Sequence, residues 1–294
     1  MSSVTLTNAP AAAGPTPSRK GRLADSWQFW GAVMVVPYLL VFFLLVVYPV
    51  LYAFWLAREP ESYVRLIEDP IFLRTVVNTL VFLFVAINLK MALALFLSGF
   101  FMIHRWWIKL LMVLFILPWA VPSIPTILSV RFMLNPEWGV INQTIFRLTF
   151  QDGPNWLNDP QLGLFFAVLV HIWKSLPFWT LILLSGRLAI SADLYEAASV
   201  DGASNWQKFR FVTWPSVKQL YLTCAILSTI WSLGDFNSVY LLTGGGPADL
   251  THVLATLGIR YLRLGEVDMS MATIVSALPL ILPLVYFMMK RLSK

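Results

Sequence analysis

Charged residues are scarce in this chain of 294 residues. Asp, Glu, Lys and Arg make up 12% of the sequence, whereas a soluble domain typically carries about 25%. This scarcity excludes an ordinary soluble protein, and the apolar share of 58% indicates a membrane protein. The net charge of +6 does not indicate nucleic-acid binding, because the positive residues fall in short clusters between apolar runs, which is the pattern of membrane topology.

Cysteine and a nucleotide-binding loop are also lacking. The single cysteine, Cys224, cannot form an internal disulfide or a metal site, so we expect a small buried apolar side chain there. No G-x-x-x-x-G-K-[ST] phosphate loop occurs, and the glycines at 244–246 precede a proline, so the chain itself is not expected to hydrolyse ATP. A membrane enzyme is disfavoured because the sequence contains no cluster of a nucleophile, a base or metal ligands. We therefore predict no catalytic residue and no metal ligand.

Long apolar runs dominate the rest of the chain. A membrane-spanning helix needs roughly 20 mostly apolar residues. We predict an all-α membrane protein with a disordered cytoplasmic tail (1–26) and one transmembrane domain (27–294). The first apolar run is too long for a cleaved signal and is expected to be retained. Six segments qualify as spans: 31–56, 72–102, 109–131, 163–188, 219–243 and 269–290.

Prolines lie inside several of these spans. Three of them, Pro118, Pro122 and Pro125, fall within the third span, which we expect to be broken. Neighbouring helices or a cavity must then satisfy the freed carbonyls. The pattern favours a packed bundle around a pathway over a simple membrane anchor.

The distribution of Lys and Arg predicts the orientation. With a cytoplasmic N-terminus, twelve of these residues lie in cytoplasmic regions and seven outside. This bias predicts that both termini are cytoplasmic. It places 103–108 and 187–218 in the cytoplasm, and it places the loops 57–71, 132–162 and 244–268 outside.

One polar segment, 189–217, interrupts the apolar pattern on the cytoplasmic side. Asp193 with Glu196 predicts a helix that begins near Leu194, and Gly202 should interrupt it. Ser204 and Gln207 form a capping-box pattern for a second helix, which should end before Pro215. Trp206, Phe209 and Val212 recur on one face of this second helix. The stripe fits either a docking surface for a partner or an amphipathic helix that rests on lipid.

This segment resembles the EAA signature of the permease subunits of ABC importers. It has Glu-Ala-Ala at 196–198, Gly202, and then V-x-W-P at 212–215, with Trp214 where leucine is usual. Further stretches resemble the sugar-uptake, maltose-permease-like branch: NPEWGVIN at 135–142, WKSLPF at 173–178 and LLTGGGP at 241–247. The resemblance implies the six-helix fold of a type I importer permease, in which this segment docks on a cytoplasmic ATPase. The residues that would carry this coupling are Glu196, Ala197, Ala198, Asp201, Gly202, Ala203 and Pro215.

The resemblance also implies partners and a location. It implies uptake of a sugar or a sugar-like polyhydroxylated solute across the bacterial inner membrane. The partners would be a second permease subunit, a dimer of ATPase subunits that binds ATP and Mg²⁺, and a periplasmic or lipid-anchored solute-binding protein. No cofactor is expected in the chain itself. An ion-gradient-driven secondary transporter is the alternative; its inverted repeats are not visible in the sequence.

Polar residues within the apolar spans, among them Lys90 in the second span, are candidates for the substrate pathway, because they are costly in a membrane. Lys174 and Asp235 have opposite charges and could pair, either for structure alone or within the pathway. Ser228, Ser232 and Asp235 recur at helical spacing, which predicts one shared face. His104 and His252 are expected to be solvated loop residues. The resemblance implies that the sugar-contacting positions are His171, Lys174, Ser175, Phe178, Ser228, Ser232 and Asp235.

Overall fold

The computed structural model describes residues 27–292, and all regular structure in that range is helical, so the all-α fold class is confirmed. The predicted tail, 1–26, lies outside the described residues. The helices are α1 (Trp27–Phe42), α2 (Tyr48–Leu56), α3 (Pro60–Glu68), α4 (Pro70–Phe100), α5 (Trp106–Ala120), α6 (Ser123–Met133), α7 (Val140–Thr149), α8 (Pro160–Leu188), α9 (Ala192–Val200), α10 (Asn205–Lys208), α11 (Trp214–Leu233), α12 (Asn237–Tyr240), α13 (Leu254–Arg263), α14 (Val267–Val275) and α15 (Ala277–Leu292).

The chain divides into two compact units, with the boundary between Ala53 and Phe54. In the first unit, α1 passes through a π-helical turn at Phe43–Val47 directly into the start of α2. This run is apolar on every face, as expected of a helix surrounded by lipid.

The core of the second unit is the contact between α4 and α8. Both helices begin with an Asp-Pro pair, in which the aspartate caps the first backbone N–H groups and proline occupies the first helical position. Small and large side chains alternate at their contact, including Ala86, Ala94 and Ala167 against Phe82 and Leu183.

Cys224 lies in the same core at 2% exposure, so its prediction as a buried apolar side chain is confirmed. It is contributed by α11, which packs against both α4 and α8. The helices α4, α8 and α11, which also contribute side chains to a polar cavity, therefore share one core.

Three described helices are long and apolar enough to cross a membrane: Phe29–Leu56, Pro70–Phe100 and Pro160–Leu188. The pair α5 and α6 qualifies as a fourth if it is counted as one span, although it bends by 97° at Val121 and Pro122. The predicted break of the third span is thus confirmed. The total of six spans stays a prediction.

The fifth and sixth predicted spans differ from the observed helices. α11 ends at Leu233 rather than at residue 243, because Gly234 closes the helix and the chain turns at Asp235 and Phe236. The sixth span is interrupted at Ser276, between α14 and α15. The outer regions are also more helical than expected, since they contain α3, α7 and α13.

Two asparagines order the outer regions. Asn142 on α7 donates to the carbonyls of Pro136 and Pro154 and accepts from the Trp156 indole at 2.6 Å. Asn78 on α4 donates to the carbonyls of Leu250 and His252, at 2.8 and 3.0 Å. These bonds satisfy buried loop carbonyls that would otherwise be costly.

Candidate functional site

A polar cavity of about 370 Å³ lies between α4, α5, α6, α8 and the C-terminal end of α11. Five residues that the sequence singled out line it together: His171, Lys174, Ser175, Ser232 and Asp235. The cavity is also lined by Lys90, Trp119, Trp179, Trp231 and Ser238. The sequence indicated Lys90 as a polar residue within a span, but none of these five was among the predicted site residues. The tryptophans were overlooked because they lie well inside the predicted spans 109–131, 163–188 and 219–243, where a large apolar side chain is expected in any packed bundle.

A hydrogen-bond network connects several of the residues that line this cavity. The ammonium of Lys90 lies 3.0 Å from Nε2 of His171 and 3.3 Å from Oγ of Ser232. On the other side of the ring, Nδ1 of His171 lies 2.5 Å from Oδ2 of Asp235. The carboxylate is held further by the backbone N–H and hydroxyl of Ser238. The network therefore links α4, α8 and the segment after α11.

Lys174 and Asp235 do not form the predicted ion pair among the described residues. Lys174 Nζ instead donates to the carbonyls of Pro118 and Val121, at 2.9 and 2.7 Å. These carbonyls stand at the bend between α5 and α6, where the helix ends and leaves acceptors unpaired. A cationic side chain is a suitable cap for them.

Two predicted pathway residues do not line the cavity. Phe178 packs against two tryptophans of the cavity wall, with its ring 5.6 Å from that of Trp119 and 5.4 Å from that of Trp231. Ser228 is fully buried, and its hydroxyl has no hydrogen-bond partner in the described part of the chain. The predicted shared helix face was wrong for Asp235, because α11 ends two residues before it.

Aromatic rings form one wall of the cavity. Trp179 and Trp231 lie 5.5 Å apart, and Trp119 and Trp231 are both about half exposed. Flat apolar rings beside hydroxyl, ammonium and carboxylate groups can pack on the apolar face of a small polar molecule while the polar groups bond its edge.

The second candidate site is the segment 189–217, which carries the EAA signature. Its first helix, α9, is capped by Ser191, so the predicted N-cap at Asp193 was wrong and Asp193 lies inside the first turn. Ser191 provides the hydroxyl acceptor two residues earlier. The helix ends at Val200, and N–H bonds from Gly202 to Ser199 and from Ala203 to Ala198 close it in a Schellman motif.

Gly202 has a φ of +76°, a conformation that favours glycine. No atom lies within 4 Å of the position that a Cβ would occupy there. The predicted glycine bend is thus confirmed. A side chain at this position would meet no other part of the described chain, but it would strain the backbone and project from the surface.

The second helix of the segment begins with the predicted capping box of Ser204 and Gln207. Its predicted end before Pro215 was wrong. α10 passes through a π-helical turn at Phe209–Thr213 directly into α11, and Pro215 lies in the first turn of α11. Proline is tolerated in a first turn, and a π turn shifts the hydrogen-bond register just before it.

Side-chain bonds hold the two helical parts of this segment to each other. Lys208 donates to the Ser199 hydroxyl at 2.8 Å, and the hydroxyls of Tyr195 and Thr213 lie 2.9 Å apart. The surface remains open: Glu196, Ala197, Asp201, Gly202 and Pro215 are exposed. Ala198 and Ala203 are half-buried.

His252 was wrongly predicted to be solvated, whereas His104 is exposed as predicted. The loop after α12 folds over His252, whose ring hydrogen-bonds to Thr256 and Asp249. Burial lowers the pKa of His252, an effect that Asp249 opposes in part. Burial alone would raise the pKa of Asp249, but hydrogen bonds from Arg260 and His252 hold that pKa below its usual value.

Fold and sites together define a membrane transport subunit that encloses a polar cavity and exposes the segment with the EAA signature. The model of the family described as "binding-protein-dependent transport system inner membrane component" matches residues 89–294, and the chain belongs to this family. It is a permease subunit of an ABC importer, a non-enzymatic membrane component.

Curated relatives and solved structures agree with this assignment. The trehalose/maltose transport system permease protein of Thermococcus litoralis is 33% identical over 86% of this chain and 90% of its own length. The sulfoquinovosyl glycerol transport system permease protein of Agrobacterium fabrum is 33% identical over 77% of this chain and 74% of its own. A bacterial ABC transporter involved in the import of the acidic polysaccharide alginate shares the fold, with a TM-score of 0.79 at 20% identity, over 92% of this chain and 96% of its own.

Proposed function

We propose that this chain moves a sugar or sugar-like polyhydroxylated solute through the membrane as one half of the pathway of an ABC importer. The arrangement of the cavity carries the proposal: three tryptophans lie beside an ammonium, a carboxylate and hydroxyl groups. The names of the trehalose/maltose and sulfoquinovosyl glycerol relatives support a carbohydrate cargo. The residues proposed to contact the solute directly are His171, Lys174, Ser175, Ser232 and Asp235, and Phe178 and Ser228 support them from behind.

The proposed assembly has four kinds of component. A second permease subunit completes the pathway, and a dimer of ATPase subunits supplies ATP and Mg²⁺ binding. A solute-binding protein delivers the cargo on the outer side, in line with the family description. The exposed EAA segment, with Glu196, Asp201 and Gly202 at its surface, supports the ATPase contact. We place both termini of the chain in the cytoplasm, on the basis of its Lys and Arg distribution.

The decisive experiment changes the proposed docking surface at and around Gly202. In the assembled transporter, Gly202→Asp adds a charged side chain to an exposed bend, and removal of 196–203 deletes the bend altogether. We expect both variants to insert in the membrane but to lose most binding-protein-dependent solute uptake in proteoliposomes. The measurements are uptake, ATPase co-purification and ATP hydrolysis.

Gly202→Asn is the matched control, because asparagine and aspartate both tolerate a positive φ and differ chiefly in charge. If the added charge is what disrupts the docking surface, Asn should retain most of the uptake that Asp loses. If the ATPase needs the bare backbone, both variants should fail. A Gly202→Asp transporter that retains a fully active ATPase and normal uptake contradicts the proposal.

A further inference from the structure

Lys90 is an ammonium group buried in the membrane-embedded part of the molecule. It lies on α4 at 1% exposure and lines the polar cavity. A charge in a membrane interior costs several kcal/mol unless it is paired, and such residues are usually functional. Neither the coupling segment nor the proposed solute contacts accounts for it.

The contacts of Lys90 fix the hydrogen-bond direction of the neighbouring histidine. An ammonium has three donors and no acceptor. Nε2 of His171, at 3.0 Å from Lys90 Nζ, must therefore present its lone pair. The ring proton then lies on Nδ1, which donates to Asp235. The ammonium of Lys90, the neutral ring of His171 and the carboxylate of Asp235 are thus hydrogen-bonded in series across α4, α8 and the segment after α11.

We infer that Lys90 is a positioning residue of the cavity, whose charge balances Asp235 through the ring of His171. This inference rests on the proposed function in one respect, namely that Asp235 meets the cargo. Oδ2 of Asp235 is occupied by His171 and Ser238, and Oδ1 receives one backbone N–H from Ser238. Because a carboxylate only accepts hydrogen bonds, the remaining capacity of Oδ1 suits a hydroxyl donor of a polyol.

A double-mutant cycle tests this relation without any cargo. Lys90→Met, Asp235→Asn and the double variant are purified as the whole transporter, and the midpoint of thermal unfolding is measured. Each single change leaves one buried charge uncompensated, so each should lower the midpoint. The double variant should lose less than the sum of the two single losses, because it leaves no unbalanced charge. Additive losses overturn the inference.

Lys174→Met provides the matched control. Lys174 lines the same cavity, but its ammonium bonds to the carbonyls of Pro118 and Val121 rather than to the network around His171. Its loss should therefore add to that of Asp235→Asn. If the Lys174 cycle is as non-additive as the Lys90 cycle, the coupling reflects the general charge of the cavity, and the assignment to Lys90 is wrong.

A second variant keeps the test usable if Lys90→Met does not fold. Lys90→Gln retains an N–H donor toward His171 but carries no charge, so its cycle with Asp235→Asn should be non-additive in the same sense. Uptake by the Lys90→Gln transporter should fall at least severalfold while the ATPase stays bound. If the losses in unfolding midpoint are non-additive but uptake by the Lys90→Gln transporter is unchanged, the proposed solute contact of Asp235 is wrong. The charge balance between Lys90 and Asp235 would still stand.

Discussion

At the scale of single residues, the fate of each polar side chain depends on which partner groups the fold brings within reach. Lys174 was predicted to pair with Asp235, yet it caps the carbonyls of Pro118 and Val121. The sequence shows the charges and the prolines but not the 97° bend that exposes those carbonyls to α8. Lys90 was likewise visible as a polar residue, while its partners on α8 and α11 were not.

His252 offers a prediction about acidity at this scale. Its pKa is lowered by burial, so the unfolded chain binds a proton more readily than the folded one. Stability should therefore decline as the pH falls below the unfolded value of about 6.5. We expect the thermal midpoint of the transporter to drop between pH 7.5 and 5.5, and His252→Gln should make that drop smaller.

The exposed His104 supplies the control, because His104→Gln should leave the pH dependence as it is. Asp249 does not complicate the comparison in this range, since the contribution from its lowered pKa is present above the unfolded value of about 3.9 and is lost only as the pH falls below that value. An identical slope of midpoint against pH for His252→Gln and the parent chain would contradict the role given to His252.

At the scale of elements, the end of α8 that leads into the EAA segment is joined to α4 and to the π turn Phe209–Thr213 by Arg187. This side chain is 9% exposed, donates from Nη2 to the carbonyl of Leu95 on α4 at 2.9 Å, and places its guanidinium 5.8 Å from the ring of Phe209. A Cβ on Gly99 would stand 2.6 Å from Nη1, so the glycine leaves room for the guanidinium. The π turn Phe209–Thr213 is thereby tied to α4 and α8.

Removal of this link should weaken the coupling of ATP hydrolysis to solute uptake more than it weakens binding of the ATPase. Arg187→Met keeps much of the apolar volume but loses the bond to Leu95, which is worth about 1.5 kcal/mol or about tenfold in an equilibrium. We expect the ATPase to remain bound while solute uptake per ATP hydrolysed falls severalfold in proteoliposomes. Arg105→Met, at an exposed position in the other cytoplasmic loop, should leave this ratio unchanged.

Either an unchanged ratio for Arg187→Met or complete loss of the ATPase from the complex would contradict the proposed role. The second result would mean that Arg187 only maintains the docking surface. A readout of uptake alone does not distinguish these cases, and for this reason ATP hydrolysis is measured on the same vesicles.

Elements were predictable where their cause is local. The capping box of Ser204 and Gln207 and the bend at Gly202 depend on residues a few positions apart, and both were predicted correctly. The continuation of the helix past Pro215 depends on the π turn, which Tyr195 contacts from α9 through Thr213. The end of α11 at Leu233 frees Asp235 to meet His171, a contact between distant parts of the chain. Such tertiary causes leave no periodic signal in the sequence.

At the scale of the whole molecule, the same three helices are tied together twice. Lys90, His171 and Ser232 join α4, α8 and α11 at the cavity. Arg187 joins α4 and α8 to the π turn that leads into α11. Sixteen residues of α8 separate His171 from Arg187, which corresponds to about 24 Å of helix. We propose that a displacement of the docking segment reaches the cavity along this one helix.

This route requires the docking segment and the outer loops to lie on opposite sides of the membrane, and the orientation is open to a direct test. Cys224 is buried in the core, so a Cys224→Ala background removes the native thiol. Val200→Cys, at a position 89% exposed, then reports on the docking segment, and Gln151→Cys reports on the outer loop after α7. Intact cells are treated with a membrane-impermeant maleimide, and the same treatment after permeabilisation and after denaturation in dodecyl sulfate shows that each thiol is reactive.

With both termini in the cytoplasm, Gln151→Cys should react in intact cells, and Val200→Cys should react only once the membrane is opened. If bound ATPase covers Val200, its labelling should appear at the denaturation step instead. Labelling of Val200→Cys in intact cells would place the EAA segment outside, where no ATP-hydrolysing partner can reach it. The distribution of Lys and Arg argues against that outcome, because seven of these residues rather than twelve would then lie in the cytoplasm.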